Sequence, residues 1–315
     1  MFYAYDPELE SVMVELASAA SEAEVAARGD WRSLRETGDA SLLAMAQLIP
    51  ESPDVQVSVH EIDTEDGARI GARWYQTRDT PPGSAVVFAH GGGMIMGSVE
   101  IFERFVARYV SATRVPFLSV DYRLAPESSG TKLAEDVFAA LVWLRERADG
   151  LGIDPDRIAV MGDSGGGAPA AGAAILARER GVKVAKQILI YPMLDDRNTI
   201  PDEALTPLVT WNYDSNFTGW YAVLGSNVGS GSVSPVVAPG RLEDCTGMPP
   251  LYIDVGDVDI FRNEDITYAL NHSRAGVPIE LHVYSGIPHA WEWFAPHTAS
   301  YQRAWANRVR AIKSF

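Results

Sequence analysis

One serine of the chain lies in a pattern that can make it a nucleophile. Ser164 is the centre of Gly162-Asp163-Ser164-Gly165-Gly166, between the apolar run RIAVMG and a long Ala-rich segment. Gly-x-Ser-x-Gly between a strand and a helix is typical of a sharp turn that exposes the serine hydroxyl beside helical N–H groups, which favour developing negative charge. Glycine is expected at 162 and 166 because a side chain there would meet neighbouring backbone. By itself the pattern is equally compatible with a phosphate-binding turn.

A second glycine-rich stretch, HGGGMIMGS from residue 90, follows another predicted strand. Its glycines leave backbone N–H groups free to face a ligand. In acyl transfer, two such groups and the N–H of Gly165 would hold the oxyanion of a tetrahedral intermediate. The alternative is a flexible or phosphate-binding loop. We expect His90 to orient this loop through its ring rather than to act as a base.

A serine nucleophile of this kind needs an acid and then a histidine further along the chain, each just past a strand. His289 lies in the loop after the last predicted strand. Asp257 and Asp259 both lie just beyond the strand PPLYIDVG, and their spacing alone leaves the two nearly equal as the acid. The remaining histidines lie in strand patterns, a helix or an exposed segment, where ordinary structural roles are expected.

The elements around these residues change their hydrophobic period along the chain. Residues 1 to 48 have apolar positions at helical spacing, and Pro50 and Pro53 end that pattern. Apolar and polar residues then alternate around Asp66-Gly67, which predicts a β-hairpin. Six further apolar runs are separated by helical segments: SAVVFAH, PFLSVDY, RIAVMG, KQILIYP, PPLYIDVG and PIELHVYSG.

Most of these runs are too continuously apolar to have one solvated face, which indicates a mainly parallel sheet covered by helices on both sides. With the hairpin, they predict about eight strands in a doubly wound α/β fold. The aromatic-rich interval 195–230 contains no good strand, and with the N-terminal helices it could form a cap over the carboxyl ends of the strands. The predicted division is cap helices over 1–50, core over 51–194, a cap insertion over 195–230, and core again over 231–315.

Composition excludes several classes of function. The net charge of −16 over 315 residues disfavours nucleic acid and anionic membranes as partners. No run reaches the roughly 18 apolar residues that a membrane span needs, and the acidic N-terminal segment is unlike a secretory signal. We therefore expect a cytoplasmic location. A single cysteine, Cys245, rules out an intrachain disulfide and a Cys-rich metal site.

Taken together, five stretches resemble the hormone-sensitive-lipase-like (bacterial family IV) carboxylesterases of the α/β-hydrolase superfamily. They are HGGG at 90–93, DYRLAPE at 121–127, GDSGGG at 162–167, DVDIFRNED at 257–265 and IPHAW at 287–291. The resemblance covers roughly residues 55 to 295, in the family's order and spacing. It implies the α/β-hydrolase fold with a helical cap built from the two segments named above, and it is compatible with a homodimer.

The resemblance also implies the role of each site residue. Ser164 would be the nucleophile, His289 the base, and Asp259 the triad acid, because Asp259 occupies the first position of the family's DPLRDE pattern. The oxyanion donors would be the N–H groups of Gly92, Gly93 and Gly165, with Gly91 supporting the turn, and no metal or organic cofactor would be required. The chain departs from the family by having Gly165 for the usual alanine, Ile260 for proline and Ala290 for glycine.

The implied activity is hydrolysis of small, short-acyl esters through an acyl-enzyme. A set of methionines and aromatic residues could line an apolar pocket for the small-molecule ester: Met94, Met96, Trp211, Trp220, Tyr221, Trp291 and Trp293. A deacetylase, lactonase or amidase using the same triad is the alternative. A receptor of the same fold that does not catalyse is less favoured, since His289 is retained.

Overall fold

The N-terminal segment forms helices in the computed structural model, which describes residues 3–20, 26–78 and 83–315. The segment predicted as helical contains α1 (Glu10–Ala20) and α2 (Trp31–Leu48). Residues 1, 2 and 21–25 of that prediction lie outside the described residues. Asp30 caps α2 by accepting a hydrogen bond from the backbone N–H of Ser33, which explains where this helix begins.

A sheet of eight strands forms the centre of the protein. In chain order the strands are β1 (Val55–Asp63), β2 (Arg69–Thr77), β3 (Ala85–Ala89), β4 (Phe117–Asp121), β5 (Ile158–Asp163), β6 (Gln187–Ile190), β7 (Leu251–Val258) and β8 (Ile279–Pro288). The predicted hairpin is the β1–β2 pair, and the six apolar runs are β3 to β8.

The strands are arranged in the order β1-β2-β4-β3-β5-β6-β7-β8. The β1–β2 and β2–β4 pairs are antiparallel, and all the remaining pairs are parallel. The strands β3 to β8 therefore point the same way, so their carboxyl ends meet at one edge of the sheet. The prediction of a mostly parallel sheet of about eight strands is confirmed.

Helices cover both faces of the sheet. In chain order the remaining helices are α3 (Glu103–Thr113), α4 (Lys132–Glu146), α5 (Ala148–Leu151), α6 (Gly167–Glu179), α7 (Tyr213–Leu224), α8 (Arg262–Arg274) and α9 (Ala299–Ile312). Alternate residues of β3 belong to two different apolar clusters, one shared with α4, α6 and α8 and the other with α3 and α9. This period of two is what a strand buried on both faces requires.

The helices α1 and α2 line a cavity together with residues just past β3 and β5, at the carboxyl ends of these strands. α7 lies in the chain between β6 and β7, within the interval predicted as an insertion, and it contacts α2. We refer to α1, α2 and α7 together as the cap. No described helix combines the length and the apolar character that crossing a bilayer requires.

Candidate active site

The turn that carries Ser164 is as sharp as the glycine pattern predicts. β5 ends at Asp163, a single 3₁₀ turn spans Ser164–Gly166, and α6 begins at Gly167. A Cβ on Gly162 would lie 2.2 Å from the carbonyl oxygen of Gly166, and one on Gly166 would lie 2.2 Å from that of Ala89. Both glycines are therefore required by close backbone approach.

Ser164, His289 and Asp259 form a continuous chain of hydrogen bonds. The Oγ of Ser164 lies 2.8 Å from Nε2 of His289, and Nδ1 of His289 lies 2.6 Å from Oδ2 of Asp259. All three side chains are buried. A carboxylate can only accept, so Nδ1–H donates to Asp259 and the lone pair of Nε2 faces the serine hydroxyl. This tautomer lets the imidazole take the serine proton.

The two carboxylates that spacing left equal have different partners in the structure. Asp259 faces His289 and also accepts from the backbone N–H of Phe261 at 2.9 Å. Asp257 instead accepts from the N–H of Gly286 at 2.6 Å. Asp257 therefore ties the end of β7 to β8 and does not contact the imidazole.

Residues 91–97, which we call the glycine loop, follow β3 and lie directly against the serine turn. A Cβ on Gly165 would lie 2.3 Å from the backbone nitrogen of Gly93 and 2.6 Å from that of Met94. The loop turns back on itself through hydrogen bonds from the N–H groups of Ile95 and Met96 to the carbonyl of Gly92, both at 3.0 Å. The backbone nitrogens of the two glycine-rich motifs are thus brought together, although 72 positions separate Gly93 from Gly165.

His90 supports the glycine loop from inside the core. Its ring stacks on Tyr122 with centroids 4.6 Å apart, and its Nδ1 lies 2.8 Å from the carbonyl oxygen of Gly91. Burial lowers the pKa of His90 to about 4, so the neutral ring donates through Nδ1–H. These contacts are those of a residue that orients the loop.

A buried ion-pair network lies behind His289. Arg308 is fully buried and donates to both carboxylate oxygens of Asp254, at 2.8 and 2.9 Å, and to Glu292 at 2.5 Å. Glu292 also accepts from the hydroxyl of Tyr191 at 2.6 Å. The ring of Tyr191 packs edge-on against the imidazole of His289, with centroids 4.6 Å apart. The network therefore fixes one wall of the imidazole site.

Asp163, the residue before the serine, is buried. One of its carboxylate oxygens has no hydrogen-bond partner within the described part of the chain. Burial raises the pKa of Asp163 well above its ordinary value, and the nearby negative charge of Glu292 adds to the effect. The buried site beside Ser164 therefore shifts this carboxyl group towards its neutral form, compared with an aspartate in water.

Backbone strain is concentrated at this site. Non-glycine residues in the left-handed region of φ, within the described ranges, are Met94, Arg114, Ser164, Tyr191 and Ala290. All except Arg114 belong to the motifs or to the imidazole wall described above. Such strain persists only where surrounding contacts impose it, which is typical of functional sites. Ala290, at φ 56°, lies where the family usually has glycine.

A cavity of about 600 Å³ opens above the serine and the imidazole. Its walls are largely apolar, and the described residues that line it include no lysine or arginine. Of the seven side chains predicted from sequence, Met96, Trp211 and Trp293 line this cavity. The other four do not: Met94, Trp220 and Trp291 are buried in the core, and Tyr221 is 47% exposed on the outer side of α7, stacked on Phe217.

Several contacts of the site were not anticipated from sequence. Leu42 and Met45 of α2 and Met13 of α1 line the cavity. Thr210 donates from its hydroxyl to the backbone carbonyl of His289 at 2.8 Å. Helical periodicity predicted apolar faces for these segments but not which side of the core each face would cover.

Comparison with known proteins gives consistent results. A model of the family described as the alpha/beta hydrolase fold matches residues 86–293. Esterase LipI of Mycobacterium tuberculosis is 33% identical over 253 residues, which are 78% of this chain and 78% of the relative. Carboxylesterase NlhH of the same organism is 32% identical over 269 residues, or 83% of each chain.

Solved structures resemble the whole chain. One named Bacterial Heroin Esterase has a TM-score of 0.87 and 33% sequence identity, and the match covers 98% of this chain and 97% of the other. An esterase of Pyrobaculum calidifontis has a TM-score of 0.85 and 30% identity, with 98% of both chains covered.

Proposed function

The chain belongs to the hormone-sensitive-lipase-like carboxylesterases of the α/β-hydrolase superfamily, and from this premise we propose that it hydrolyses small, short-acyl esters through an acyl-enzyme on Ser164. The observation that carries the proposal is the hydrogen-bonded chain from Ser164 through His289 to Asp259, with distances of 2.8 and 2.6 Å. Ser164 and His289, at the serine end of this chain of hydrogen bonds, line the apolar cavity.

In the proposed reaction, His289 removes the proton of Ser164 as the hydroxyl oxygen attacks the acyl carbon. The tetrahedral intermediate collapses when the protonated imidazole donates that proton to the leaving alcohol oxygen. Water then attacks the acyl-enzyme by the same route, which releases the acid and restores Ser164. Asp259 holds the imidazole in the required tautomer and stabilises its cationic form.

The oxyanion is proposed to bind N–H groups of Gly92, Gly93 and Gly165, with Gly91 supporting the loop. The close approach of the Gly93 nitrogen to Gly165 supports this assignment. Backbone donors held in place before the reaction are effective because they need no reorganisation when charge develops, and losing one typically costs about 2.7–4 kcal/mol of barrier.

The proposed substrates are small and uncharged. A volume of about 600 Å³ falls within the range of sites for small organic molecules and must hold both the acyl and the alcohol groups. Apolar walls without lysine or arginine among the described residues give a carboxylate-bearing ester no compensation for its desolvation. Deacetylase, lactonase or amidase chemistry would use the same triad, and no specific contact favours one of them.

The proposal is tested by steady-state kinetics with p-nitrophenyl esters from acetate to palmitate. We expect the highest kcat/KM for the short acyl chains. Ser164→Ala and His289→Ala should each lower kcat by about 10³-fold or more, because the nucleophile and its base act as a unit. Asp259→Asn should lower it by about 10³- to 10⁴-fold through the wrong imidazole tautomer.

Asp257→Asn provides the matched control, since Asp257 contacts Gly286 and not the imidazole. Its kcat should stay within about tenfold of the wild type. Undiminished hydrolysis by Ser164→Ala would disprove the mechanism. If the protein turns over an acetamide or a lactone but none of the short esters, the proposed substrate class is wrong and the proposed triad still holds.

A further inference from the structure

The cap helix α2 is hydrogen-bonded directly to the glycine loop. Arg35 donates from Nε to the carbonyl of Ile95 and from Nη2 to that of Ala125, the latter at 2.7 Å. One turn further along α2, Asp39 accepts from the backbone N–H of Gly97 at 2.7 Å. The helix therefore holds two points near the end of the loop that begins at the proposed oxyanion donors.

The guanidinium of Arg35 is itself oriented before it reaches the loop. Glu127 accepts from Nη1 and Nη2 at 2.7 and 2.8 Å, and the ring of Trp31 lies 4.6 Å from the guanidinium carbon. This paired geometry leaves the Nε–H and one Nη–H directed at carbonyl groups. Ala125, whose carbonyl Arg35 binds, donates from its own N–H to the carbonyl of Met94 at 2.9 Å.

Gly38 lies between these two residues and brings the helix against the loop. A Cβ at this position would lie 2.2 Å from Sδ of Met96. Glycine in the interior of an 18-residue helix lowers helix propensity, and here it lets the side chain of Met96 lie directly against the helix backbone. The N–H of Met96 in turn closes the turn onto the carbonyl of Gly92.

The glycine loop needs such external support. Gly92 and Gly93 have φ of 114° and 58°, and glycines reach many other conformations at little cost. Oxyanion stabilisation depends on donors placed within a few tenths of an ångström of the developing charge. The same helix also lines the cavity through Ser41, Leu42 and Met45, so the element that contacts substrate is the one that holds the loop.

We propose that Arg35 and Asp39 are positioning residues that hold the glycine loop in the geometry required for oxyanion stabilisation, so that docking of α2 is coupled to the chemical step. The inference rests on the proposed function, in which the N–H groups of Gly92, Gly93 and Gly165 bind the oxyanion. It assigns to the cap a role in kcat as well as in substrate binding.

Two pairs of variants test the inference. Asp39→Ala removes the acceptor for Gly97, whereas Asp39→Asn retains a carbonyl oxygen at the same place. Arg35→Met removes the donors to the loop. Arg28→Met is its matched control, because Arg28 joins the same part of the chain to Asp214 of α7 without contacting the loop. The readouts are kcat and KM for p-nitrophenyl acetate and the Ki of phenylboronic acid, which forms a tetrahedral adduct with the serine.

We expect Asp39→Ala and Arg35→Met to lower kcat by about 10- to 100-fold and to raise the Ki of phenylboronic acid by a similar factor. Their KM should stay within about threefold of the wild type, because the lost interaction acts mainly in the transition state. Asp39→Asn should recover most of the lost kcat, and Arg28→Met should retain the wild-type kcat.

A rise in KM at constant kcat would overturn the inference, because the cap would then act in binding alone. Equal damage by Asp39→Asn and Asp39→Ala, or equal damage by Arg28→Met and Arg35→Met, would also overturn it. If Arg35→Met does not fold, the comparison of Asp39→Ala with Asp39→Asn tests the inference by itself. An active Ser164→Ala would refute the proposed function, whereas an inactive Ser164→Ala with wild-type kinetics in the α2 variants would refute this inference alone.

Discussion

Gly165 shows how a single missing methyl group sets the distance between two motifs. The family usually has alanine after the nucleophile, yet here a Cβ would lie 2.3 Å from the backbone nitrogen of Gly93. Contacts that short do not occur, so an alanine would require the glycine loop to move. The loop consequently lies closer to the serine turn than an alanine would allow.

Restoring the family's residue is therefore expected to impair the enzyme. In Gly165→Ala, the displaced loop should misplace the N–H groups of Gly92 and Gly93, and kcat for p-nitrophenyl acetate should fall by about 10- to 100-fold. Gly150→Ala is the matched control, since a Cβ there would have no described atom from outside its own helical turn within 4 Å. A Gly165→Ala protein with the wild-type kcat would mean that the loop adapts without cost.

At the scale of elements, buried ion pairs join α9 to the sheet in addition to its apolar packing. Arg308 connects this helix to Asp254 of β7 and to Glu292 in the turn after His289. A buried ion pair need not stabilise a fold compared with an apolar replacement of all its members, but removal of one partner leaves uncompensated charge. Here, two carboxylates would lose their cation together.

Arg308→Met is accordingly expected to lower the free energy of unfolding by about 3–5 kcal/mol. Arg310→Met, two residues along the same helix, removes an exposed ion pair with Glu280 and should cost no more than about 1 kcal/mol. Urea unfolding of both variants measures the difference. Similar losses in the two would contradict the role given to the buried network.

The contact between α2 and the glycine loop is likewise an interaction between two elements. It accounts for a mid-helix glycine and two charged side chains within about one turn of α2. Gly38 and Asp39 follow Arg35 by three and four positions, so all three lie on one side of the helix. The same side continues with Leu42 and Met45, which line the cavity together with Gly38.

For the whole molecule, buried ionisable groups set the response to pH. Burial lowers the pKa of His90 to about 4, so stability should decrease as pH falls from about 6.5 towards 4, where the unfolded chain gains the proton first. The buried carboxyl groups of Asp163, Glu264 and Asp265 lower stability as pH rises. Burial raises the pKa of each well above its ordinary value, so the folded protein keeps these protons after the unfolded chain has lost them.

Asp265 gives the clearest test, since neither of its carboxylate oxygens has a hydrogen-bond partner among the described residues. Burial is the main cause of its raised pKa, and the charges of Glu264, Asp259 and Asp254 add to it. Above about pH 4 the unfolded chain loses this proton while the folded protein keeps it. Stability therefore falls with rising pH until the folded pKa is reached, by up to about 1.4 kcal/mol per pH unit.

Asp265→Asn should remove this dependence. The variant is expected to have nearly the wild-type free energy of unfolding near pH 4 and to become progressively more stable than the wild type towards pH 8, as measured by urea unfolding at each pH. The exposed Asp149 of α5 supplies the control Asp149→Asn, whose difference from the wild type should stay constant. Parallel curves for Asp265→Asn and the wild type would contradict a buried neutral acid.

The sequence by itself determined the strands, their parallel arrangement and the motifs at their ends. Hydrophobic period is a local property, and the carboxyl ends of parallel strands must meet at one edge of the sheet. The glycines at 162 and 166 were likewise predictable, because a strand-to-helix turn of this sharpness brings backbone against backbone within a few residues.

Only the tertiary structure decided which residues meet. Asp257 lies within the last residues of β7 and Asp259 just beyond its end, and it is the packing of β7 against β8 that directs the first to Gly286 and the second to His289. Trp220 and Trp291 are as apolar as Trp211, yet they fill the core while Trp211 faces the cavity. The contact of Arg35 with Ile95 spans 60 positions, and no local pattern encodes so distant a partner, because it depends on how α2 docks on the finished sheet.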